Sequence, residues 1–351
     1  LDYNKLLGRD PISTDLKSIQ KYIKGKRILV TGGAGSIGSE IVRQLVNFNA
    51  STVTVFDNAE ASMFHLEQEV SRAFPKAHIK YVMGDVRDKY RLEEVFDSFK
   101  PNIVFHAAAY KHVPMMESNP IEAIKTNVLG TMNVSNISYM NEVDKFVMVS
   151  TDKAVNPTNI MGATKRIAEL YTQFLETKSA TKFIVTRFGN VLGSEGSVIP
   201  TFIKQIERGG PVSVTHKEVI RYFMTIPEAC QLVLQASVLG EGGEVFLFDM
   251  GEPVSINDLA KNLIKYFESN AKIEYIGLRP GEKLYEELLC DGENMVPTED
   301  DNIMKLNHEE YDFKILIPKI EKLSKIRLND FYKILLLMKS IVPEFKREND
   351  D

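Results

Sequence analysis

An apolar run at Arg27–Thr31 passes straight into Thr31-Gly32-Gly33-Ala34-Gly35-Ser36-Ile37-Gly38, and from there into a helical pattern. A strand that turns on glycines into a helix is half of a parallel-sheet unit, because parallel strands need a crossover to carry the chain back. The pattern then repeats. Strand candidates at Arg27–Thr31, Thr52–Phe56, Ile79–Met83, Ile103–His106, Lys145–Ser150 and Phe183–Arg187 alternate with helical stretches at 36–48, 60–73, 89–99, 121–141 and 162–177. Strands that are apolar throughout belong to a sheet covered by helices on both faces. The predicted fold is α/β, a doubly wound parallel sheet.

The alternation loosens after residue 190. Gly193, Gly196 and Pro200 punctuate one loop and Gly209-Gly210-Pro211 another, followed by a helical pattern at 227–239, a strand at 244–248 and a helix at 255–268. Residues 26–190 are therefore expected to form one domain. Residues 191–351 are expected to form mainly a smaller lobe interleaved with it. Residues 1–25, polar and broken by Gly8-Arg9-Asp10-Pro11, read as a lead-in segment; the tail from about 297 is charge-rich, with a helical run at 328–340.

Composition removes several alternatives. The 351 residues carry 43 basic and 48 acidic side chains, a net charge of −5, with no basic stripe to neutralise a phosphate backbone, so no nucleic-acid partner is expected. Cys230 and Cys290 have no metal or redox spacing, which excludes a disulfide scaffold and suits a reducing compartment. The histidines show no metal-ligand spacing, so no metal is assigned. No apolar run reaches the length of a membrane span, and no secretory signal opens the chain, although the first residue is Leu1 rather than Met.

The glycine turn carries chemistry. Gly32, Gly35 and Gly38 permit a tight turn and close backbone approach, and the helix opening at Ser36 and Ile37 aims its free N–H groups at a pyrophosphate. Asp57 ends the next strand, where a carboxylate can hold both ribose hydroxyls of NAD and repel a 2′-phosphate. NAD is the expected cofactor of this Rossmann-type sheet.

The Gly-x-x-Gly-x-x-Gly spacing resembles the extended short-chain dehydrogenase/reductase superfamily, whose members mostly remodel nucleotide sugars. Gly84-Asp85-Val86, His106-Ala107-Ala108-Ala109-Tyr110-Lys111-His112-Val113-Pro114 and Asn127 carry the same resemblance. It implies that Asp85 and Val86 contact adenine and that Ala107, Ala108 and Ala109 let the cofactor lie flat. It places Lys111 and His112 on the substrate side, and gives Asn127 a helix-stabilising role.

The fifth strand ends in Ser150-Thr151-Asp152-Lys153, at the edge where α/β sheets bind ligands. Downstream, Met161-Gly162-Ala163-Thr164-Lys165 places positions 161 and 165 on one helical face. In the superfamily that face carries Tyr-x-x-x-Lys; here Met161 replaces the Tyr and Lys165 remains. The run from Ser150 to Gly162 is similar to the long, membrane-attached UDP-N-acetylglucosamine 4,6-dehydratases, in which Met stands at the Tyr position. The resemblance extends from about Leu7 to Phe345 and is strongest to the configuration-retaining type that begins bacillosamine synthesis for bacterial protein N-glycosylation. It implies N-terminal transmembrane helices before Leu1, a place on the cytoplasmic face of the bacterial inner membrane, and a homo-oligomer of two or more copies.

The implied reaction is redox-neutral: C4 of UDP-GlcNAc is oxidised by NAD⁺, water leaves across C5 and C6, and the hydride returns to C6. Lys153 is expected to be the C5 base, kept neutral by burial or a cationic neighbour. Asp152 is expected to be the acid at O6, and Thr151 to orient the C4 hydroxyl. Which group accepts the C4-hydroxyl proton without a Tyr is left open. For the substrate lobe the resemblance implies Asn190 at the sugar diphosphate, with Ser197 and Val198 in the loop and helix folding over the uridine. It also implies Arg221 and Arg279 on the pyrophosphate and Glu282 on the uridine ribose. Arginine suits phosphate because its planar fork donates two hydrogen bonds. Three alternatives remain: an inverting 4,6-dehydratase, which usually keeps the Tyr; a C4-epimerase, which needs it; and a cofactor-binding scaffold without catalysis.

Overall fold

The computed structural model describes residues 11–290, 293–307, 310–327 and 330–347. In chain order its first half runs α1 (Leu16–Ile23), β1 (Arg27–Thr31), α2 (Ser36–Asn47), β2 (Thr52–Asp57), α3 (Glu60–Ala73), β3 (Ile79–Met83), α4 (Lys89–Phe99), β4 (Ile103–His106) and α5 (Val113–Ser118). A single helical rod follows: α6 (Pro120–Ala123), a π-helical stretch (Ile124–Gly130) and α7 (Thr131–Met140). Then come β5 (Lys145–Thr151), α8 (Ile160–Glu176), β6 (Lys182–Phe188) and β7 (Asn190–Leu192).

The remainder runs α9 (Val198–Glu207), β8 (Val212–Val214), β9 (Ile220–Arg221), β10 (Phe223–Thr225), α10 (Ile226–Leu239), β11 (Val245–Phe248), β12 (Val254–Ser255) and α11 (Ile256–Tyr266). It closes with β13 (Ile273–Tyr275), β14 (Met295–Pro297), β15 (Ile303–Leu306), α12 (Phe313–Ser324) and α13 (Phe331–Ile341).

The large sheet has nine strands in the order β14-β15-β11-β6-β5-β4-β1-β2-β3. Every pairing from β3 across to β11 is parallel, and β15 and β14 close the edge antiparallel. Successive residues of β1 point to opposite faces: Leu29 joins a core with Phe146, Met148 and Ile167, while Ile28 and Val30 join another with Val147, Leu45 and Val233. Both faces are thus covered, as the apolar strands require. Strand order reverses between β1 and β4, and at such a point the crevice opens beyond the carboxyl ends of the strands. A third core, with Leu192, Phe202, Val214, Phe223 and Leu263, forms beside that crevice under three small two-stranded sheets.

The expected strands and helices of the first half all form, within a residue or two of their predicted ends. Differences lie elsewhere. Within the segment read as a lead-in, α1 forms on an Asp15 cap, burying Ile19 and Ile23 against α10. Two apolar residues make a stripe too narrow to stand out in polar surroundings. The helix α12 was not anticipated, because Pro318 and its lysines mask its apolar face. The run expected at 328–340 is α13; its first two positions lie outside the described residues.

Candidate active site

The glycine turn is shaped by contact. Gly32 has φ +63°, and a Cβ there would stand 2.5 Å from the Ala108 backbone nitrogen, so the turn lies directly on the segment after β4. Gly35 is the N-cap of α2 and supplies no side-chain cap. The first N–H groups of the helix, those of Ser36, Ile37 and Gly38, are thereby left to an anion. Asp57 faces the same turn: its Oδ2 accepts from Ala34 N and its Oδ1 from Ala59 N, each at 3.0 Å. A helix N-terminus beside a carboxylate aimed across the turn fits a dinucleotide with a free ribose.

Asp85 and Val86 follow β3. Val86 is buried, whereas Asp85 is engaged by Arg87, whose Nη2 donates at 2.6 Å, and by Asn58 Nδ2 at 3.1 Å. Burial would raise the Asp85 pKa, but these donors outweigh it and hold it below the usual carboxylate value. Asn127, in the π-helical stretch, clasps Tyr110: its Oδ1 accepts from Tyr110 N at 2.9 Å and its Nδ2 donates to Tyr110 O at 3.0 Å. Its Nδ2 also donates to Thr164 Oγ1 on α8 at 3.1 Å, so one side chain ties the loop containing Ala107, Ala108 and Ala109 to that helix. Irregular helix at such a position recurs at functional sites.

Sequence reading missed His106 as a site residue. It is fully buried, with Nδ1 2.7 Å from Thr31 Oγ1 and Nε2 2.9 Å from Thr131 Oγ1. The Thr131 hydroxyl donates to the Asn127 carbonyl, so it accepts from His106 Nε2–H and leaves Nδ1 to accept from Thr31. Burial, and then the nearby Lys165, push the imidazole pKa down to about 3. His106 is a neutral strut joining β1, β4 and the rod.

At the end of β5 the expected trio of Thr151, Asp152 and Lys153 sits together. Thr151 Oγ1 donates to Asp152 Oδ1 at 3.0 Å, and Lys153 Nζ reaches the same oxygen at 3.1 Å. Asn190 Oδ1 accepts from Lys153 Nζ at 3.2 Å, which brings the first residue of β7 to the trio. Asp152 is 1% exposed, and its Oδ2 is a buried oxygen that no donor reaches among the described residues. Gly162 packs so closely on the Lys153 carbonyl that a Cβ would not fit, which seats Met161 and Lys165 beside the trio. Met161 is buried, and Lys165 Nζ donates to the Val149 carbonyl at 2.8 Å. Burial depresses the Lys165 amine to about 8, with Glu169 opposing.

The expectation of a neutral Lys153 is corrected. Burial does favour the free amine, but Asp152 and the unanticipated Glu286 outweigh it and raise its pKa above the ordinary lysine value. Behind the trio, Ser150 Oγ donates to Glu169 at 2.5 Å, and Glu169 receives the fully buried Arg187 at 2.8 Å. Arg187 then reaches Glu293 at 3.0 Å, locking β5, β6 and α8 together.

Lys111 and His112 stand at the crevice rim, both with pKa values lowered first by partial burial and then by a neighbouring cation. Gly196 lies against the His112 ring, and Glu195 N donates to Ser36 Oγ at 3.3 Å, so the 193–197 loop spans the crevice from cofactor side to substrate side. Ser197 caps α9 by position, its buried hydroxyl unpartnered among the described residues, and Val198 begins that helix. Arg221, Arg279 and Glu282 do come together, though as a knot. Arg221 donates to the carbonyls of Ile220, Leu284 and Lys283 at 2.8, 3.0 and 2.7 Å and to Glu282 Oε1 at 3.3 Å. Glu282 also accepts from Thr215 Oγ1 at 3.0 Å and from Arg279 N at 3.1 Å, while the Arg279 side chain is exposed. In this conformation the Arg221 fork and the Glu282 carboxylate face protein partners, not a ligand.

Residues 28–308 fit the family model described as "Polysaccharide biosynthesis protein". The chain is 55% identical over 298 residues to the capsular polysaccharide biosynthesis protein CapD of Staphylococcus aureus, covering 84% of this chain and 50% of that protein. It thus spans about half the length of that relative. It is 35% identical over 302 residues to the UDP-N-acetylglucosamine 4,6-dehydratase (inverting) of Campylobacter jejuni, covering 83% of this chain and 87% of that one. The fold matches the crystal structure of DesIV, a dTDP-glucose 4,6-dehydratase from Streptomyces venezuelae with NAD and TYD bound. That match has a TM-score of 0.68 at 23% identity and covers 75% of this chain and 88% of that one.

Proposed function

The chain belongs to the polysaccharide biosynthesis protein family, within the nucleotide-sugar dehydratases and epimerases, and from that premise we propose that it is an NAD-dependent UDP-GlcNAc 4,6-dehydratase retaining configuration at C5. The observation that carries the reading is the Asp152–Lys153 pair, joined at 3.1 Å at the end of β5 beside Met161 and Lys165. An acid and a base held together are what elimination of water needs; an epimerase that only removes and returns a hydride at C4 has no use for them.

NAD fits the Gly32–Gly38 turn, the opening of α2 and Asp57. When bound, it supplies the oxidation at C4 and returns the hydride at C6. The chain's own groups do the rest. Lys165, fixed on the Val149 carbonyl, holds the nicotinamide ribose, and Thr151 orients the C4 hydroxyl. The resulting ketone acidifies C5–H, whose proton passes to Lys153, and Asp152 protonates O6 as water departs. Asn190, through Lys153, links this chemistry to the diphosphate side. Arg221, Arg279 and Glu282 serve the pyrophosphate and uridine ribose once their knot opens on substrate.

The inverting reaction is the second reading, favoured by the printed activity of the Campylobacter relative. A homo-oligomer, a membrane-anchored full-length protein at the cytoplasmic face of the inner membrane, and use of the product in bacillosamine synthesis complete the proposal. Among the described residues no helix is long and apolar enough to cross a membrane. The test is incubation with UDP-GlcNAc and no added reductant. A product lighter by one water supports the reading, unchanged mass points to epimerisation, and proton NMR of the product decides the C5 configuration.

A further inference from the structure

Residues 281–287 lie as a strap over the turn that carries the catalytic pair. On one flank Thr158 Oγ1 and Asn159 Nδ2 donate to the Gly281 carbonyl at 2.9 and 3.1 Å, and Lys283 Nζ donates to the Val155 carbonyl at 3.1 Å. Asn156 Nδ2 donates to Glu287 Oε1 at 3.0 Å. On the other flank Arg221 grips the Lys283 and Leu284 carbonyls. A residue between such anchors is placed with little freedom. Glu286 is that residue: its side chain is 5% exposed, and its Oε1 lies 3.8 Å from Lys153 Nζ and 3.7 Å from Arg221 Nε. Both separations exceed hydrogen-bond length, so Glu286 acts on Lys153 through charge.

We propose that Glu286 is a positioning residue for the Lys153 amine, forming with Asp152 a two-carboxylate cradle that holds Nζ at the end of β5 and sets its charge. The charged groups facing Lys153 are Asp152 from its own turn, Glu286 from the strap, Arg221 from β9 and Lys111 from the segment before α5. Two carboxylates against two cations leave the amine sensitive to the loss of either acid. The consequence for catalysis rests on the dehydratase reading. Lys153 first passes its proton to Asp152 across their 3.1 Å contact, the freed lone pair then takes the C5 proton, whose electron pair stays on the sugar as the enolate, and Asp152 gives its proton to O6 as water leaves. The cradle disfavours the first step and stabilises the ammonium formed in the second.

The test uses NAD-loaded protein labelled with 13Cε-lysine, with Lys153→Met identifying the Lys153 resonance. In Glu286→Gln the Lys153 titration is expected to move down by about one unit or more, the usual effect of an opposite charge within 4–6 Å, which is tenfold more free amine at a given pH. An unmoved Lys153 titration in folded Glu286→Gln overturns the proposal. If Glu286→Gln did not hold its fold, Glu286→Asp, with the carboxylate withdrawn by one methylene, must give a smaller shift in the same direction, and no shift overturns it equally. If the titration moved but wild type produced no dehydrated sugar, the dehydratase reading would fall and the Glu286–Lys153 relation would stand.

Discussion

Lys165 Nζ donates to the Val149 carbonyl at 2.8 Å, bridging α8 to β5 from within the core. The bond places the amine but does not restore what burial takes from its charged form, and its pKa falls to about 8. Below that pH the amine is an ammonium; above it, neutral. Its proposed task at the nicotinamide ribose needs the ammonium, so kcat for UDP-GlcNAc is expected to fall as pH rises through about 8. Lys165→Arg keeps its charge at every accessible pH. A pH–rate profile of that variant should lack the alkaline limb; a limb unchanged from wild type would assign it to another group.

Asp152 and Lys153 should divide the reaction into separable steps. Asp152→Asn is expected to bind UDP-GlcNAc and permit oxidation at C4 while losing on the order of 10²–10⁴ in turnover, the usual worth of a positioned acid. Lys153→Met should lose turnover and also exchange at C5 in deuterated water. Mass spectrometry of the recovered sugar reads both, and near-normal turnover in Lys153→Met would remove Lys153 as the base.

Asp57 predicts cofactor choice. Its carboxylate is aimed at the turn through Ala34 N, where a 2′-phosphate would meet a like charge. Nucleotide released by denaturing the wild-type protein should be NAD by mass. Asp57→Asn removes the charge and should raise the fraction of NADP taken up from an equimolar mixture. Recovery of mainly NADP from wild type would refute the assignment.

Met161 is buried and offers no proton chemistry. Met161→Leu should keep most activity, because near-isosteric swaps of this kind cost under about 1.5 kcal/mol. Met161→Tyr is expected to bring no gain, since the ring would crowd the sugar. A large rate increase in Met161→Tyr would mark the site as a damaged Tyr-dependent one.

His106 predicts acid sensitivity. It is neutral in the fold, with a pKa of about 3, against the ordinary 6.5 in the unfolded chain. Between those values the unfolded chain binds the extra proton, so stability falls as pH drops below 6.5, by about 1.4 kcal/mol per unit. His106→Asn should be less stable at neutral pH yet lose stability less steeply from pH 6 to 4. Thermal unfolding across that range measures it, and parallel slopes would count against the neutral strut.

Short-range pattern can be read from the order of residues alone. Apolar runs of strand length, helical periodicity and the Gly32–Gly38 turn were enough to place β1 to β6 and the helices between them. The trio at 151–153 and the pair at 161 and 165 were legible because each is a local cluster on an element whose end faces the crevice. Which distant residues meet them emerges with the folded chain. Glu286 reads as one more acidic residue in a charged segment until the strap lays it against Lys153, reversing the charge expected of that amine. Arg221 and Glu282, read singly as ligands, become partners once their carbonyl and hydroxyl neighbours are in place. His106 and its threonines come from β1, β4 and the rod, and the edge strands acquire their role only by pairing, β15 with β11 and β14 with β15. Local pattern specifies backbone geometry through sterics and burial; charge state and hydrogen-bond partner depend on distance in space, which chain position does not fix.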